Sequence, residues 1–195
     1  DGFKDLAQYD LDGNLVSELS FSDIPYKVGY CSNFSADGDK LRLTCDAYDE
    51  DERCYITTQF LMDPKTNTFE KAPVDIDITT MDTIQAEYQV GDSRVYLVTD
   101  YSGSGYRFII SGDKTKTVSI GATVEDLYFV DSCIVIDDST LLAFCYAKES
   151  TAIELDVNSG EIRKVKVDID KSRYSFVPVQ DGKAYAANCE GIFTI

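Results

Sequence analysis

A short motif recurs along the chain: an apolar residue, an Asp-led turn rich in Gly and Asn, and a second apolar residue. Three clear copies occupy residues 9–16, 62–69 and 155–162, and a weaker copy occupies residues 110–116. Asp and Gly between apolar segments are typical of the tight turns that join paired strands. The motif therefore predicts a β-hairpin at each copy, repeated with a period of about 47 residues.

Each period has room for four short strands, because the residues between the turns are rich in Val, Ile, Thr, Tyr and Phe. The predicted strands are 27–34, 41–48, 55–62 and 68–78 in one unit, 84–90, 94–100, 107–111 and 117–124 in the next, and 127–136, 141–147, 151–157 and 161–169 in the third. A four-stranded repeat of this length is typical of a β-propeller blade. The sequence thus predicts an all-β, propeller-like array of about four four-stranded antiparallel blades.

The two ends of the chain fall at the same point of the repeat. Residues 1–22 match the third and fourth strands of a unit, and residues 174–195 match the first, the second and the start of the third. If the ends share a blade, they close a four-bladed ring with the blades 26–78, 84–124 and 126–169, which leaves no exposed sheet edge. The alternatives are a segment of a larger ring, continuous with further domains, and another all-β architecture. In the propeller interpretations residues 1–195 form a single domain.

The chain carries 35 acidic against 18 basic residues, a formal net charge of −17. Of the acidic residues, 25 are Asp and 10 are Glu. Because the short Asp side chain accepts hydrogen bonds from nearby backbone N–H groups, this excess is partly a by-product of building many turns. A negative charge of this size repels phosphates, so we expect neither nucleic acid nor anionic membranes as partners. No apolar run approaches the roughly 18 residues of a membrane-spanning helix, so the chain is not expected to cross a membrane.

The sequence contains no histidine. This excludes a Ser-His-Asp triad, a Cys-His dyad and an imidazole metal site, and no cofactor is predicted. Paired carboxylates for glycoside hydrolysis stay open, because such pairs converge in space rather than in sequence. Whether the chain is an enzyme is therefore undecided at this level, with a non-catalytic role favoured.

Six cysteines are spaced as cross-strand neighbours rather than as metal ligands. Hairpin pairing places Cys31 opposite Cys45 and Cys45 opposite Cys54, and it brings Cys133 near Cys145. Cys189 has no predicted partner. No C-x-x-C spacing occurs, so zinc is not expected. The favoured interpretation is free cysteines that pack as small hydrophobic residues, with one disulfide as the alternative.

Two loops combine acidic residues with tyrosines. Residues 46–53 form the strongest charge run, and residues 100–106 place two tyrosines around a flexible Gly/Ser turn. Carboxylates beside tyrosines suit a cationic ligand, a basic peptide or a sugar, and loops on a rigid scaffold often carry binding residues; solvated turns are the other interpretation. The predicted ligand-binding residues are Tyr48, Asp49, Asp51, Asp100, Tyr101 and Tyr106. No catalytic residue is predicted.

The segment Asp10–Asn14 resembles the opening of a calcium loop, since Asp10, Asp12 and Asn14 place oxygen ligands at alternate positions. An EF-hand needs Gly at its sixth position, whereas Gly13 is the fourth residue here. Asp-Gly between strands is also a strong hairpin signal. We therefore predict a hairpin turn and no metal site. A cation site formed by these three residues is the alternative.

Several of these motifs resemble blades of divergent bacterial β-propellers of the TolB-like and YVTN-like groups. The motifs are Asp-x-Asn-Ser-Gly-Glu-Ile at 156–162, its relatives at 10–16 and 63–69, and Asp-Gly-Lys-Ala-Tyr at 181–185. Such propellers occur in exported lipoproteins, sometimes beside solute-binding domains. The resemblance implies a propeller fold and export to the cell surface or beyond, and it transfers no catalytic residue.

The favoured function is a non-catalytic binding or interaction module of an exported bacterial protein. Its ligand would be a protein, a peptide or a carbohydrate held on the acidic, Tyr-containing loops. One alternative is a hydrolase or lyase that uses carboxylates in a central channel. The other is a structural spacer beside a solute-binding domain.

Overall fold

The computed structural model describes residues 5–10, 12–20, 26–72, 76–79, 81–100, 105–112, 114–149, 151–165, 175–180, 183–188 and 191–194. These residues form strands and turns, which confirms the all-β prediction. The chain divides into two compact units, Asp1–Ala86 and Glu87–Ile195. In the part of the chain just given, no helix has the length and apolar character needed to cross a membrane.

Most strands begin and end within three residues of the predicted ones, but the strands predicted at 68–78 and 117–124 are only four residues long. The strands are β1 (Asp5–Tyr9), β2 (Leu15–Ser20), β3 (Val28–Asp37), β4 (Lys40–Asp49), β5 (Cys54–Asp63), β6 (Thr68–Lys71), β7 (Asp82–Val90), β8 (Ser93–Asp100), β9 (Arg107–Ser111), β10 (Lys116–Ser119), β11 (Leu127–Asp137), β12 (Thr140–Ala147), β13 (Thr151–Asp156), β14 (Ile162–Val165), β15 (Ser175–Gln180), β16 (Lys183–Asn188) and β17 (Gly191–Thr194).

Each sheet is an antiparallel meander in which every strand pairs with the next one along the chain. Unit 1 contains the two-stranded sheet β1–β2 and the four-stranded sheet β3–β6. Strand β7 spans the boundary between the units and belongs to the four-stranded sheet β7–β10. Unit 2 also contains the four-stranded sheet β11–β14 and the three-stranded sheet β15–β17. The fourth strands β6, β10 and β14 are the shortest of their sheets, with four residues each.

The Asp-led motifs form hairpin turns, as predicted. Asp63 and Asp156 each end a strand, and Asp10 directly follows one. In each case Oδ1 accepts a backbone N–H from two to four residues further on, at 2.8–3.0 Å. Each turn also contains a residue with positive φ: Gly13 at 83°, Asn67 at 53° and Gly160 at 80°. Gly and Asn adopt this conformation at low cost, which is why the motif requires them.

The longest runs of buried residues lie on the second strand of each four-stranded sheet. Residues 42–45 of β4, 95–99 of β8 and 141–145 of β12 are buried on both faces of the strand. In unit 1 the side chain of Leu6 on β1 packs against a hydrophobic cluster of the sheet β3–β6. That cluster comprises Cys31, Leu43, Cys45, Ala47, Phe60 and Met62. The sheet therefore presents one face to β1 as a packed core.

In unit 2 the sheet β11–β14 packs against the sheet β7–β10. The hydroxyl of Tyr88 on β7 is hydrogen bonded to the thiol of Cys133 on β11. The ammonium group of Lys116 on β10 donates to the backbone carbonyl of Asn158, which lies in the β13–β14 turn. Contacts therefore join the first strands of the two sheets, and they join β10 to the β13–β14 turn.

The cysteines depart from the favoured prediction. Cys31 lies directly opposite Cys45, as the hairpin spacing predicts, and the two form a disulfide. The interpretation of all cysteines as free was therefore wrong, and the alternative of one disulfide applies. Bulges in β3 on either side of the Tyr30–Cys31 pairings shift the register by one residue each, and the one between Cys31 and Asn33 places the two cysteines opposite one another.

The other cysteines differ from the prediction in strand register. Cys45 lies opposite Thr58, and Cys54 lies opposite Asp49, because the turn begins after Asp49 rather than centring on it. In the sheet β11–β14, an irregularity in β11 places Cys133 opposite Ala143, two residues from Cys145 on the partner strand. The two thiols are still close enough to interact, as predicted. Cys54, Cys133 and Cys145 are free thiols, whereas Cys189 lies outside the described residues.

Candidate functional site

The charge run at residues 46–53 joins the end of β4 to the start of β5. Asp49 closes this turn: its Oδ1 accepts the backbone N–H groups of Asp51 at 2.9 Å and Glu52 at 3.0 Å. These bonds, that from Glu52 first, lower the pKa of Asp49 from its ordinary value. Asp51 is exposed. The structure thus gives Asp49 a role in forming the turn and leaves Asp51 on the surface beside it.

Two tyrosines form a perpendicular pair next to this turn. Tyr48 on β4 lies directly opposite Tyr55 on β5. Their ring centroids are 5.4 Å apart and the ring planes meet at 74°, the edge-to-face arrangement that aromatic pairs prefer. Tyr55 is 49% exposed, so much of the pair faces solvent.

A glycine on the neighbouring strand makes room for this pair. A Cβ added at Gly29 of β3 would lie 3.2 Å from Cε1 of Tyr55, so the ring reaches across β4 and rests over the glycine. The next residue, Tyr30, is 41% exposed. Its hydroxyl donates to the carboxylate of Asp46, and this bond, with burial and the negative charge, raises the pKa of Tyr30. Three tyrosines therefore share one surface of the sheet.

A lysine lies on the same surface. The Nζ atom of Lys27 is 4.2 Å from the centroid of the Tyr48 ring, within the range of a cation–π interaction. The backbone carbonyl of Lys27 also accepts the N–H of Tyr48 at 2.8 Å. We call this surface the tyrosine face; it consists of Tyr30, Tyr48, Tyr55, Lys27, Gly29 and Asp46. The carboxylates of residues 49–52 form its acidic rim.

The second predicted loop lies in unit 2. A Cβ added at Gly105 would lie 2.4 Å from Oδ2 of Asp100, so the Asp100 carboxylate packs against its own loop. Tyr106 is partly buried, which raises its pKa, and its carbonyl accepts the N–H of Ile120 at 3.1 Å. Tyr101 lies outside the described residues. The structure thus places Asp100 against Gly105, the residue before Tyr106, in unit 2, whereas Tyr48, Asp49 and Asp51 lie in unit 1.

The segment from Asp10 to Asn14 forms the predicted hairpin turn between β1 and β2. Oδ1 of Asp10 accepts the backbone N–H groups of Asp12 and Asn14, and Oδ2 accepts the side-chain amide of Asn14 at 2.9 Å. These hydrogen bonds lower the pKa of Asp10. Among the residues that the structure describes, no group of three or more acidic or thiol side chains has the arrangement of a metal site.

A cleft in unit 2 is lined by Glu154, Asp156, Glu161, Ile162 and Arg163. Two further clefts also lie away from the predicted ligand-binding residues. One, of about 650 Å³, is in unit 2 and is lined by Asp92, Ser93, Ile110, Gly112, Lys114, Lys116, Val157 and Asn158. The other, of about 520 Å³, is in unit 1 and is lined by Ile56, Thr57, Thr58, Lys71, Ala72, Ile76 and Ile78. The second is the more apolar of the two, because its lining contains three isoleucines and an alanine.

Sequence reasoning found part of the tyrosine face and missed the rest. It identified Tyr48 from its place beside the charge run, but it did not identify Tyr30, Tyr55 or Lys27. These three come from β3, β5 and the residue before β3, and only strand register brings them together. A signal was present: a turn over residues 50–53 places Tyr55 opposite Tyr48, because Asp49 then pairs with Cys54.

Comparison of the chain with models of known protein families and with curated protein sequences finds no match.

Proposed function

We propose that the chain is a non-catalytic binding module that holds a basic segment of a protein or peptide partner on the tyrosine face. The observation that carries the proposal is the side-by-side placement of Tyr30, Tyr48 and Tyr55 on one exposed surface. Tyrosine is enriched at protein interfaces, because it buries a large ring and keeps a polar hydroxyl available. A surface of three such rings is therefore suited to a partner.

The charge around the tyrosine face favours a basic partner. Glu50, Asp51 and Glu52 of the acidic rim are exposed, and the chain as a whole carries a net charge of −17. Complementary charge steers association and excludes partners of the wrong sign. A neutral carbohydrate would use the rings but gain little from the rim, so a basic peptide segment fits more of the surface.

The broader setting of the module is also part of the proposal. We infer that the four-stranded meanders β3–β6, β7–β10 and β11–β14 are blades of a β-propeller in an exported bacterial protein. Their repeated four-stranded pattern and the packing of the sheet β11–β14 on the sheet β7–β10 support this. Spectroscopic labels at the two chain ends test closure: a short distance between them supports a four-bladed ring, and a long one supports a segment of a larger assembly.

The binding proposal is tested with arrays of peptides and of glycans. Wild-type protein is compared with Tyr55→Ala and with Tyr128→Ala, a control that removes a tyrosine 56% exposed in unit 2. Tyr128 is a matched residue, because its ring also belongs to an aromatic pair, at 5.9 Å from Tyr146. Near-ultraviolet circular dichroism checks that both variants keep their packing.

The expected result is binding to basic peptides that Tyr55→Ala abolishes and Tyr128→Ala retains. Binding to glycans that depends on Tyr55 would replace the peptide ligand with a carbohydrate and contradict the proposed partner. Equal binding by all three proteins on both arrays would contradict a role for the tyrosine face.

A further inference from the structure

We infer that the tyrosine face recognises a lysine side chain of its partner over the ring of Tyr48. In the free protein Lys27 occupies this position until the partner displaces it. This inference rests on the proposed function, because it names the chemical group that the tyrosine face binds. It assigns to Lys27 the role of an internal competitor.

The position of Lys27 shows which group the Tyr48 ring accepts. Its ammonium nitrogen lies 4.2 Å from the ring centroid, where the negative face of an aromatic ring attracts a cation. The ring of Tyr55 packs nearly perpendicular to that of Tyr48 and holds it in place. The open face of Tyr48 is thus already a cation site, and the chain itself supplies the cation.

The structure allows this internal cation to leave while the site stays intact. The main chain of Lys27 is held by the hydrogen bond from the N–H of Tyr48 to its carbonyl. The side chain is exposed and consists of a flexible stem, so rotation carries the ammonium group into water. Tyr48 and Tyr55 are held by the strand pairing of β4 with β5. Displacement therefore costs one exposed cation–π contact and no backbone movement.

The acidic rim supplies a second attraction for an incoming lysine. Residues 49–52 carry four carboxylates immediately after Tyr48 in the chain, and Tyr30 holds a fifth, that of Asp46, on the tyrosine face. A partner with several lysines can place one over Tyr48 and others near the rim. Lys27 contributes one ammonium group, which lies over the ring. A partner with several lysines interacts with both the ring and the rim, so it binds more strongly than Lys27 does.

The first experiment observes the displacement directly. The intact chain is prepared with isotope-labelled lysine and titrated with a hexalysine peptide. In the free protein the ε-methylene signals of Lys27 are shifted by the Tyr48 ring current, and Lys27→Met identifies them. We expect these signals to move to the positions of a solvated lysine as the peptide binds. Binding that leaves them in place would overturn the inference, and so would a failure of the peptide to bind.

The second experiment measures the competition. An exposed cation–π contact corresponds to about a two- to fivefold change in affinity, so Lys27→Met should bind hexalysine about two- to fivefold more tightly than wild type. The matched control is Lys65→Met, which removes the same charge from unit 1 at a lysine whose side chain is 76% exposed. Both are compared at about 0.5 M salt, where the Debye length falls to a few ångström and distant charges are screened.

The outcomes separate this inference from the proposed function. Tighter binding by Lys27→Met than by Lys65→Met supports the displacement. Equal binding by the two lysine variants, with weaker binding by Tyr55→Ala, would overturn the displacement and leave the binding module standing. Binding by Tyr55→Ala equal to that of wild type would overturn both.

Discussion

Cys31 of β3 and Cys45 of β4 lie directly opposite each other and are joined by a disulfide, with their Cα atoms 3.9 Å apart. Both side chains are fully buried in the hydrophobic cluster of unit 1. The disulfide therefore links two strands at the centre of the core, and it spans a sequence separation of 14 residues.

Replacing both of these cysteines with alanine should lower the free energy of unfolding by about 2–4 kcal/mol, the usual effect of opening a loop of this length. Urea unfolding of the variant and of wild type checks this. Cys54→Ala is the control and should change the free energy of unfolding by less than about 1 kcal/mol, because that thiol is free and only partly buried. Equal unfolding midpoints for oxidised and reduced wild type would contradict the prediction.

Gly91→Ala should be strongly destabilising. Gly91 has φ 55°, and a Cβ there would lie 2.3 Å from the backbone oxygen of Asp138, so the β7–β8 turn would have to move. We expect a loss of about 2–4 kcal/mol in the free energy of unfolding, measured by urea denaturation.

Two other glycines of unit 2 serve as controls for that prediction. Gly160 has φ 80° but only ordinary contacts, and Gly121 has open space around it. We expect Gly160→Ala to cost about 1–2 kcal/mol through its backbone conformation alone, and Gly121→Ala to cost less than about 1 kcal/mol. If Gly91→Ala lowers the free energy of unfolding no more than Gly160→Ala does, the prediction is contradicted, because the β7–β8 turn then moves away from Asp138 without a loss of stability.

The free thiols should differ in reactivity. Burial raises the pKa of Cys133 and of Cys145 to about 12, so at pH 8 only about one in ten thousand of either is the reactive thiolate. We expect iodoacetamide to alkylate Cys54 first in the native protein, and Cys133 and Cys145 only after unfolding. Peptide mass spectrometry over a time course measures this, and rapid labelling of Cys145 before unfolding would contradict the assigned burial.

The turn carboxylates should make stability depend on pH. The pKa of Asp156 is lowered mainly because its carboxylate accepts the backbone N–H of Ser159. A pKa lower in the folded than in the unfolded chain adds stability above the ordinary value of 3.8, and that stability is lost as the pH falls through the folded-state pKa. The destabilisation caused by Asp156→Ala should therefore be full near about pH 7 and shrink below about pH 4.

Urea unfolding of Asp156→Ala and wild type across this range measures the effect, with Glu149→Ala as the control that removes one exposed charge from the same unit. The difference between the two variants cancels the general repulsion of an acidic chain. A destabilisation by Asp156→Ala that stays constant down to pH 3 would indicate that the side chain acts without its charge.

Local chemistry explains why the hairpins were predictable. Asp63 and Gly160, for example, form hydrogen bonds with residues no more than four positions away in the chain. The local sequence is therefore sufficient to predict the turn. The four-strand units follow once these turns are placed. Register is different, because the irregularity of β11 between Val135 and Asp137 depends on the packing of the whole strand. That shift places Cys133 opposite Ala143, two residues out of register with Cys145 instead of the predicted one.

The candidate site was predictable only in part, for the same reason. Tyr48 directly precedes four consecutive acidic residues, 49–52, which are evident from the sequence alone. Its contacts with Tyr55 and Lys27 depend on where the β4–β5 turn begins and where β3 starts. Gly29 carries no sequence signal of its own, and its importance appears only because the Tyr55 ring rests over it.

The short fourth strands of the four-stranded sheets limit self-association through the sheet edges. β6, β10 and β14 each stand at one end of their sheet, where an unpaired edge can recruit a strand from another molecule. Each offers only four residues for such pairing, and each contains a lysine: Lys71, Lys116 and Lys164. A lysine on an edge strand must be desolvated before another strand can pair there. In the part of the chain that the structure describes, short edge strands with a lysine each thus oppose growth into larger β-aggregates.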